Sequence, residues 1–314
     1  MLMNEDQEIF APLPAKSPEL TDDMSCKEAA YRSFEFYFRN FLWNEKGTRL
    51  GKDPEFLHYL RVASKRLRVA LNVFKKHFPE CDISRYKNEL KSLAPILGKA
   101  RDTDVYLEFL NDKVSKILLP EELPVFNKYE NFFLRRKKFR QKAILKKLDS
   151  EDYKSFVAEF SDFISHSAQE KRDMESPVSE IIKRKIRRKV EKLIELSRKL
   201  NLKSSDSKLH KFRIKCRKLR YEVEIFMGIT GSDGEELDRM LIEFQRSLGS
   251  HHDAVTGGKK LNSYMRTHKK YSKSRVLGKI RKLQNERALK YRKKFFASLK
   301  NNETLKNMAG FLAC

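Results

Sequence analysis

Two segments of the chain hold the residues best suited to chemistry. Residues 58–74 read HYLRVASKRLRVALNVF and residues 210–226 read HKFRIKCRKLRYEVEIF, and the two align without a gap at an offset of 152. On a helix turning about 100° per residue, His58, Arg61, Lys65 and Arg68 fall within an arc of about 80°, with Leu60, Ala63, Leu67, Ala70, Leu71 and Phe74 on the opposite side. His210, Arg213, Arg217 and Arg220 make the same stripe in the second segment, opposite Phe212, Leu219, Val223 and Phe226. Neither stripe contains a carboxylate. An arginine fork engages two phosphoryl oxygens at once, lysine supplies a mobile point charge, and histidine donates to a phosphate oxygen. Like charges stacked at i, i+3 and i+4 repel by roughly a few tenths of a kcal/mol per pair, a strain that a bound anion relieves. A single basic stripe is ordinarily the solvated face of an amphipathic helix. Its recurrence, with the histidine three residues ahead of an arginine each time, is what points to phosphate.

Further echoes enlarge this set. LGKARDTDV at 97–105 returns as LGSHHDAV at 248–255, at an offset of 151, and residues 136–148 can be laid weakly on 287–299 at the same offset. Arg101, His252, Arg136 and Arg287 thereby join the expected anion ligands. Asp102, Asp104 and Asp253 admit two readings: caps of a helix that follows an LG turn, or carboxylates that pair with a stripe residue and fix its orientation. Helix N-termini near Arg101 and His252 would add backbone donors. No catalytic constellation emerges. The Walker spacing is absent, since Gly257-Gly258-Lys259 lacks it, and the His251-His252-Asp253 run of a metal phosphohydrolase has no later aspartate to complete a metal site. Cys26, Cys81, Cys216 and Cys314 are scattered, with neither disulfide nor zinc spacing. A binding protein with no enzyme activity, metal or cofactor is expected.

The elements that must position these residues are helices. Lys, Leu, Glu and Arg dominate, residues that lose little rotamer freedom in a helix. Residues 1–24, with three prolines, read as a flexible lead. Helices follow at about 25–43, 54–74, 83–97 (stopped by Gly98), 102–117, 122–147 and 152–166. Gly47 to Asp53 read as a turn, Asp53-Pro54 as a cap followed by proline in the first turn, and Ser176-Pro177 as another such start. The repeat divides the chain into a first bundle at 25–170 and a second at 171–314. The 314 residues carry a net charge of +25, of which residues from 176 onward supply +22, with 36 Lys and Arg against 14 Asp and Glu. Such a field draws in polyanions. With an acidic, proline-containing start and no apolar run of membrane length, a soluble cytoplasmic protein with no membrane partner is expected.

Taken in order, His58-Arg61-Lys65-Arg68, Leu97-Gly98-Arg101-Asp102-Asp104, His210-Arg213-Arg217-Arg220 and Leu248-Gly249-His252-Asp253 resemble the CHAD family, the conserved histidine α-helical domain, over about residues 25–310. Val255 stands where the first LG motif has Asp104, which departs from the pattern. The resemblance implies an all-α fold of two pseudo-symmetric four-helix bundles from an internal duplication. It also implies a basic cleft between them that binds inorganic polyphosphate, in bacteria often at polyphosphate granules. RNA or DNA is the rival ligand, given KRKIRRKVEK at 183–192, but base stacking calls for exposed aromatics beside the cations, and only Tyr59 and Tyr221 lie near the stripes. An accessory of a metal-dependent phosphohydrolase is a further alternative.

Overall fold

Residues 11–14, 17–165 and 178–300 are described by a computed structural model of the chain. The longer elements are α1 (Cys26–Leu50), α2 (Pro54–Phe74), α3 (Glu80–Phe109), α4 (Leu123–Leu148), α5 (Glu151–Ser165), α6 (Val178–Arg198), α7 (Asp206–Ile225), α8 (Met227–Thr267) and α9 (Arg275–Lys300), with short 3-10 and π turns after α2, α3 and α8. No strand occurs among the described residues, as the all-α reading requires. None of the described helices is long and apolar enough to cross a membrane.

Contacts gather the chain into two compact units, residues 1–101 with 138–178 and residues 102–137 with 179–314. This interleaves what the repeat divided at 170/171. The cause is local: α3 and α4 run unbroken through the points of transfer, so 102–109 and 123–137 join the second unit. Within unit 1, Phe34, Phe38 and Phe41 of α1 pack with Phe74 of α2 and Tyr153, Phe156 and Phe160 of α5, all buried. Within unit 2, Phe212, Phe244 and Phe295 bind α7, α8 and α9 at centroid distances of 5.6–6.2 Å. A second cluster there joins Tyr106, Tyr129, Phe133 and Tyr264.

Several expected boundaries move. Asp53 caps α2 as foreseen, accepting from the Glu55 amide at 2.8 Å, and the helix ends at Phe74. By contrast, α1 continues through Gly47 and stops at Gly51, whose φ of +67° is the left-handed conformation that a helix C-terminus favours in glycine. The described part of the lead is held rather than loose: the Asn44 amide accepts from and donates to the Leu13 backbone at 3.1 and 2.9 Å, and Leu20 and Met24 are buried. The Ser176-Pro177 start lies outside the described residues. Most consequential, neither LG motif is a turn. Gly98 lies inside the 30-residue α3, and Gly249 lies inside the long part of α8 that follows a break at Gly231, where φ is +52°. A mid-helix glycine costs only about 1 kcal/mol against alanine, less than the packing of a long amphipathic helix returns.

A Cβ added at Gly98 would meet nothing within 4 Å. Gly98→Ala is therefore expected to raise stability by about 0.5–1 kcal/mol, read from the midpoint of urea unfolding. A lowered midpoint would mean that the backbone there is not the helix described.

Candidate anion-binding site

The first stripe lies wholly in unit 1. His58, Arg61, Lys65 and Arg68 are half-buried along α2, while Leu60, Ala63, Leu67 and Leu71 on the other side are fully buried. Arg101 reaches this helix from α3, pairing with Glu55 at 3.0 Å and donating to the Pro54 carbonyl at 3.4 Å. Burial, and then the nearby Arg101, lower the His58 pKa to about 4, with Glu55 opposing. Burial also lowers Arg68, beside which no carboxylate acts. Arg66, which the stripe omits, is 7% exposed.

The remaining expected ligands lie in unit 2, where α7 and α8 bring most of them together. The His210 and His252 rings stack at a centroid distance of 4.4 Å and an interplanar angle of 29°. Arg213 lies against α8 at the LG motif, close enough that a Cβ on Gly249 would stand 3.8 Å from its Nε. Burial lowers the His252 pKa to about 4, followed by the charges of Arg213 and His210, with Asp102 opposing. His210 is lowered by burial and by Arg213, Arg217 and Lys259. Arg217 is lowered by burial, and no carboxylate is among the groups acting on it. From α9, Arg287 stacks on Phe109 at 4.4 Å, and Arg136 of α4 stacks on Phe132 at the same distance. The α7 end that carries His210 is pinned by buried His251, which spans Asp206 at 3.0 Å and the Ala288 carbonyl at 2.9 Å, and by Arg292, 2.8 Å from Asp206.

Three expectations require correction. Asp102, Asp104 and Asp253 do not cap helices, and Arg101 and His252 are not at helix N-termini, because all five are interior to α3 or α8. Asp104, 8% exposed, pairs with Lys137 at 3.1 Å. Asp102 acts on His252, and Asp102 and Asp253 both act on Lys260, so these carboxylates face the site's basic residues and cap no helix. Arg220 is not an open stripe cation: it pairs with Glu224 at 2.6 Å and Asp238 at 3.1 Å. Glu224 follows it at i+4, a helix-pair spacing visible in the sequence.

Lys260, Gln284 and Tyr106 complete the unit 2 site and were missed. Lys260 donates to the Asp102 carbonyl, and burial lowers its pKa to about 8 despite Asp102 and Asp253. His252, Thr256 and Lys260 follow at i, i+4 and i+8, so reading α8 as continuous would have found the lysine. What results is a cluster of partly desolvated cations over a few carboxylates. Such a cluster can hold a multivalent anion by charge-assisted hydrogen bonds. Among the described residues no group of three or more His, Cys, Asp or Glu could hold a metal ion.

A family model for the CHAD domain matches residues 32–262. Among solved structures, the chain is similar to the crystal structure of the CHAD domain from the plant Ricinus communis, at 20% identity and a TM-score of 0.75, covering 93% of this chain and 97% of that one. It is also similar to PptA from Streptomyces chartreusis, at 15% identity and a TM-score of 0.66, covering 90% of this chain and 99% of that one. At these identities the two structures speak to the fold. No curated protein matches the sequence.

Two outcomes follow from the site's electrostatics. His58 and His252 have folded pKa values near 4, below the 6.5 of a free imidazole. The unfolded chain therefore binds protons that the folded chain refuses between pH 6.5 and 4. Their contribution is complete above pH 6.5 and is lost as pH falls toward 4. Thermal melts at pH 7.5 and 5.0 should show a smaller pH loss in the His58→Gln, His252→Gln variant than in the parent, and equal losses would refute neutral rings. Arg220→Ala leaves the buried Glu224 and half-buried Asp238 without this cation, and should cost about 2–4 kcal/mol of stability in denaturant unfolding. A negligible loss would return Arg220 to the open set.

Proposed function

We propose, on the premise that the chain belongs to the CHAD domain family, that it binds inorganic polyphosphate and does not transform it. Polyphosphate binding is the known property of that family. The observation that carries the reading for this chain is the desolvated cluster of His210, Arg213, Arg217 and His252, each lowered by a neighbour's charge or itself lowering one. Keeping Arg213 beside Arg217 and holding both imidazoles back from protonation is unfavourable in the free protein, and a chain of phosphates relieves both. The half-buried stripe of α2 supplies a second set of contacts of the same kind. Residence at polyphosphate granules is the cellular counterpart of this binding.

Nucleic acid remains the second reading, with one observation in its favour. On α4, Phe139 is 64% exposed, and Arg140 lies over its ring at 5.7 Å within the run RRKKFRQK. Beside the stripes the aromatics count against it, since Tyr221 is 6% exposed and presents little ring to a base. A ligand with phosphates and no bases uses the α7 and α8 cluster fully.

Calorimetry with long-chain polyphosphate and with RNA of matched charge separates the two. Polyphosphate is expected to bind more tightly, and its affinity to fall by about 10³-fold or more between 50 and 200 mM salt if some six or more cations engage. Arg217→Ala should weaken binding about tenfold with helical content unchanged. Tighter RNA binding, or salt-independent binding, would overturn the proposal.

A further inference from the structure

Unit 2 holds a small recess beside the basic cluster. It is lined by Asp102 and Tyr106 of α3, His252, Asp253 and Lys260 of α8, and Arg287 of α9, and its volume is about 30 Å³. At about 10–15 Å³ per water on this measure, it holds two waters or one small oxyanion group. One wall is Gln284, 2% exposed. Its amide lies close to the Tyr106 hydroxyl and tempers the upward push that burial gives that phenol. Yet neither its Oε1 nor its Nε2 reaches hydrogen-bond geometry with any described residue. A buried amide left so is unfavourable in the free protein, and a ligand in the recess would relieve it. Gly257 makes the recess possible: a Cβ there would come 2.5 Å from Gln284 Nε2 and 2.9 Å from a Tyr106 ring carbon.

The lining is unusual for an anion site in holding acceptors as well as donors. Lys260, Arg287, His252 and the Gln284 Nε2 donate. The Gln284 Oε1 and the carboxyl groups of Asp102 and Asp253 accept. An internal phosphate of a polyphosphate chain carries no proton at neutral pH, so such acceptors repel it. A terminal phosphoryl group is different: its last proton leaves near pH 6, so although it is mostly without that proton at pH 7, it can take the proton up again beside an acceptor and then offers one hydroxyl to the acceptor and two further oxygens to donors. Burial raises Asp253, which suits a carboxyl that shares one proton with a phosphate hydroxyl.

We infer that this recess receives the terminal phosphoryl group of a polyphosphate chain, with Gln284 as the residue that tells an end from a middle. The inference rests on the polyphosphate reading above. Its test compares, by calorimetry on the full chain at pH 7, linear tripolyphosphate with cyclic tetrametaphosphate, which has similar charge and no terminus. The linear ligand is expected to bind about tenfold or more tightly, and Gln284→Leu to abolish that difference by weakening the linear ligand more than the ring. Equal affinities of the two ligands would overturn the inference and leave polyphosphate binding standing. Failure of both ligands, and of long-chain polyphosphate with them, would instead overturn the underlying function. The comparison on the parent protein needs no variant, so it decides even if the leucine substitution unfolds the chain.

Discussion

The cations of unit 2 are held where they repel one another by a core that leaves their backbone no freedom. Phe212, Phe244 and Phe295 lock α7, α8 and α9 together, so the other faces of α7 and α8 meet at fixed separation. His210 and His252 must then stack, and Arg213 must lie along α8. Apolar burial of several large side chains, at roughly 1.5–3 kcal/mol each, exceeds the repulsion of a few partly hydrated charges. Burial first, and the neighbouring charges after it, lower the proton affinity of His210, His252 and Arg217, so the cost appears there rather than as a rearranged fold.

That constraint sorts the basic residues by whether a carboxylate relieves them. Arg220 has Glu224 and Asp238, Arg101 has Glu55, and Lys137 has Asp104. These pairs fix helices. Among the described residues no carboxylate acts on the desolvated Arg68 and Arg217, and such groups favour an incoming anion because they need not exchange one anion for another. A net charge of +25 therefore overstates the ligand set.

Much of this was legible in the residues. Period and caps placed α2 to the residue, from Asp53 to Phe74, because proline and a capping carboxylate act locally. The two stripes were legible as well, since a helix face follows from spacing alone. The LG motifs misled because glycine's local preference was weighed without the packing that overrides it. One consequence was the loss of Lys260 from the expected site. Gln284 gives no signal at all in a helix crowded with lysine and arginine, and its burial depends on Gly257 and Tyr106, far away in sequence. The interleaving of the units is equally invisible, being a property of long-range contacts.

The two stripes nonetheless differ in a way that the structure makes physical. In unit 1 the stripe histidine, His58, has Arg101 of the first LG motif beside it; in unit 2 His210 has His252, at the matching place of the second. Arg101 is already committed to Glu55. Position 207, at the offset of 152 from Glu55, is a serine, so no carboxylate is supplied there. His252 thus keeps its ring turned toward His210 and the charges of Arg213, with only Asp102 opposing. A neutral histidine pair can take up a proton when a phosphate arrives, whereas an arginine held by a glutamate must first exchange one anion for another. On that ground the second stripe, in the more basic half of the chain, is the better suited of the two to take up an anion.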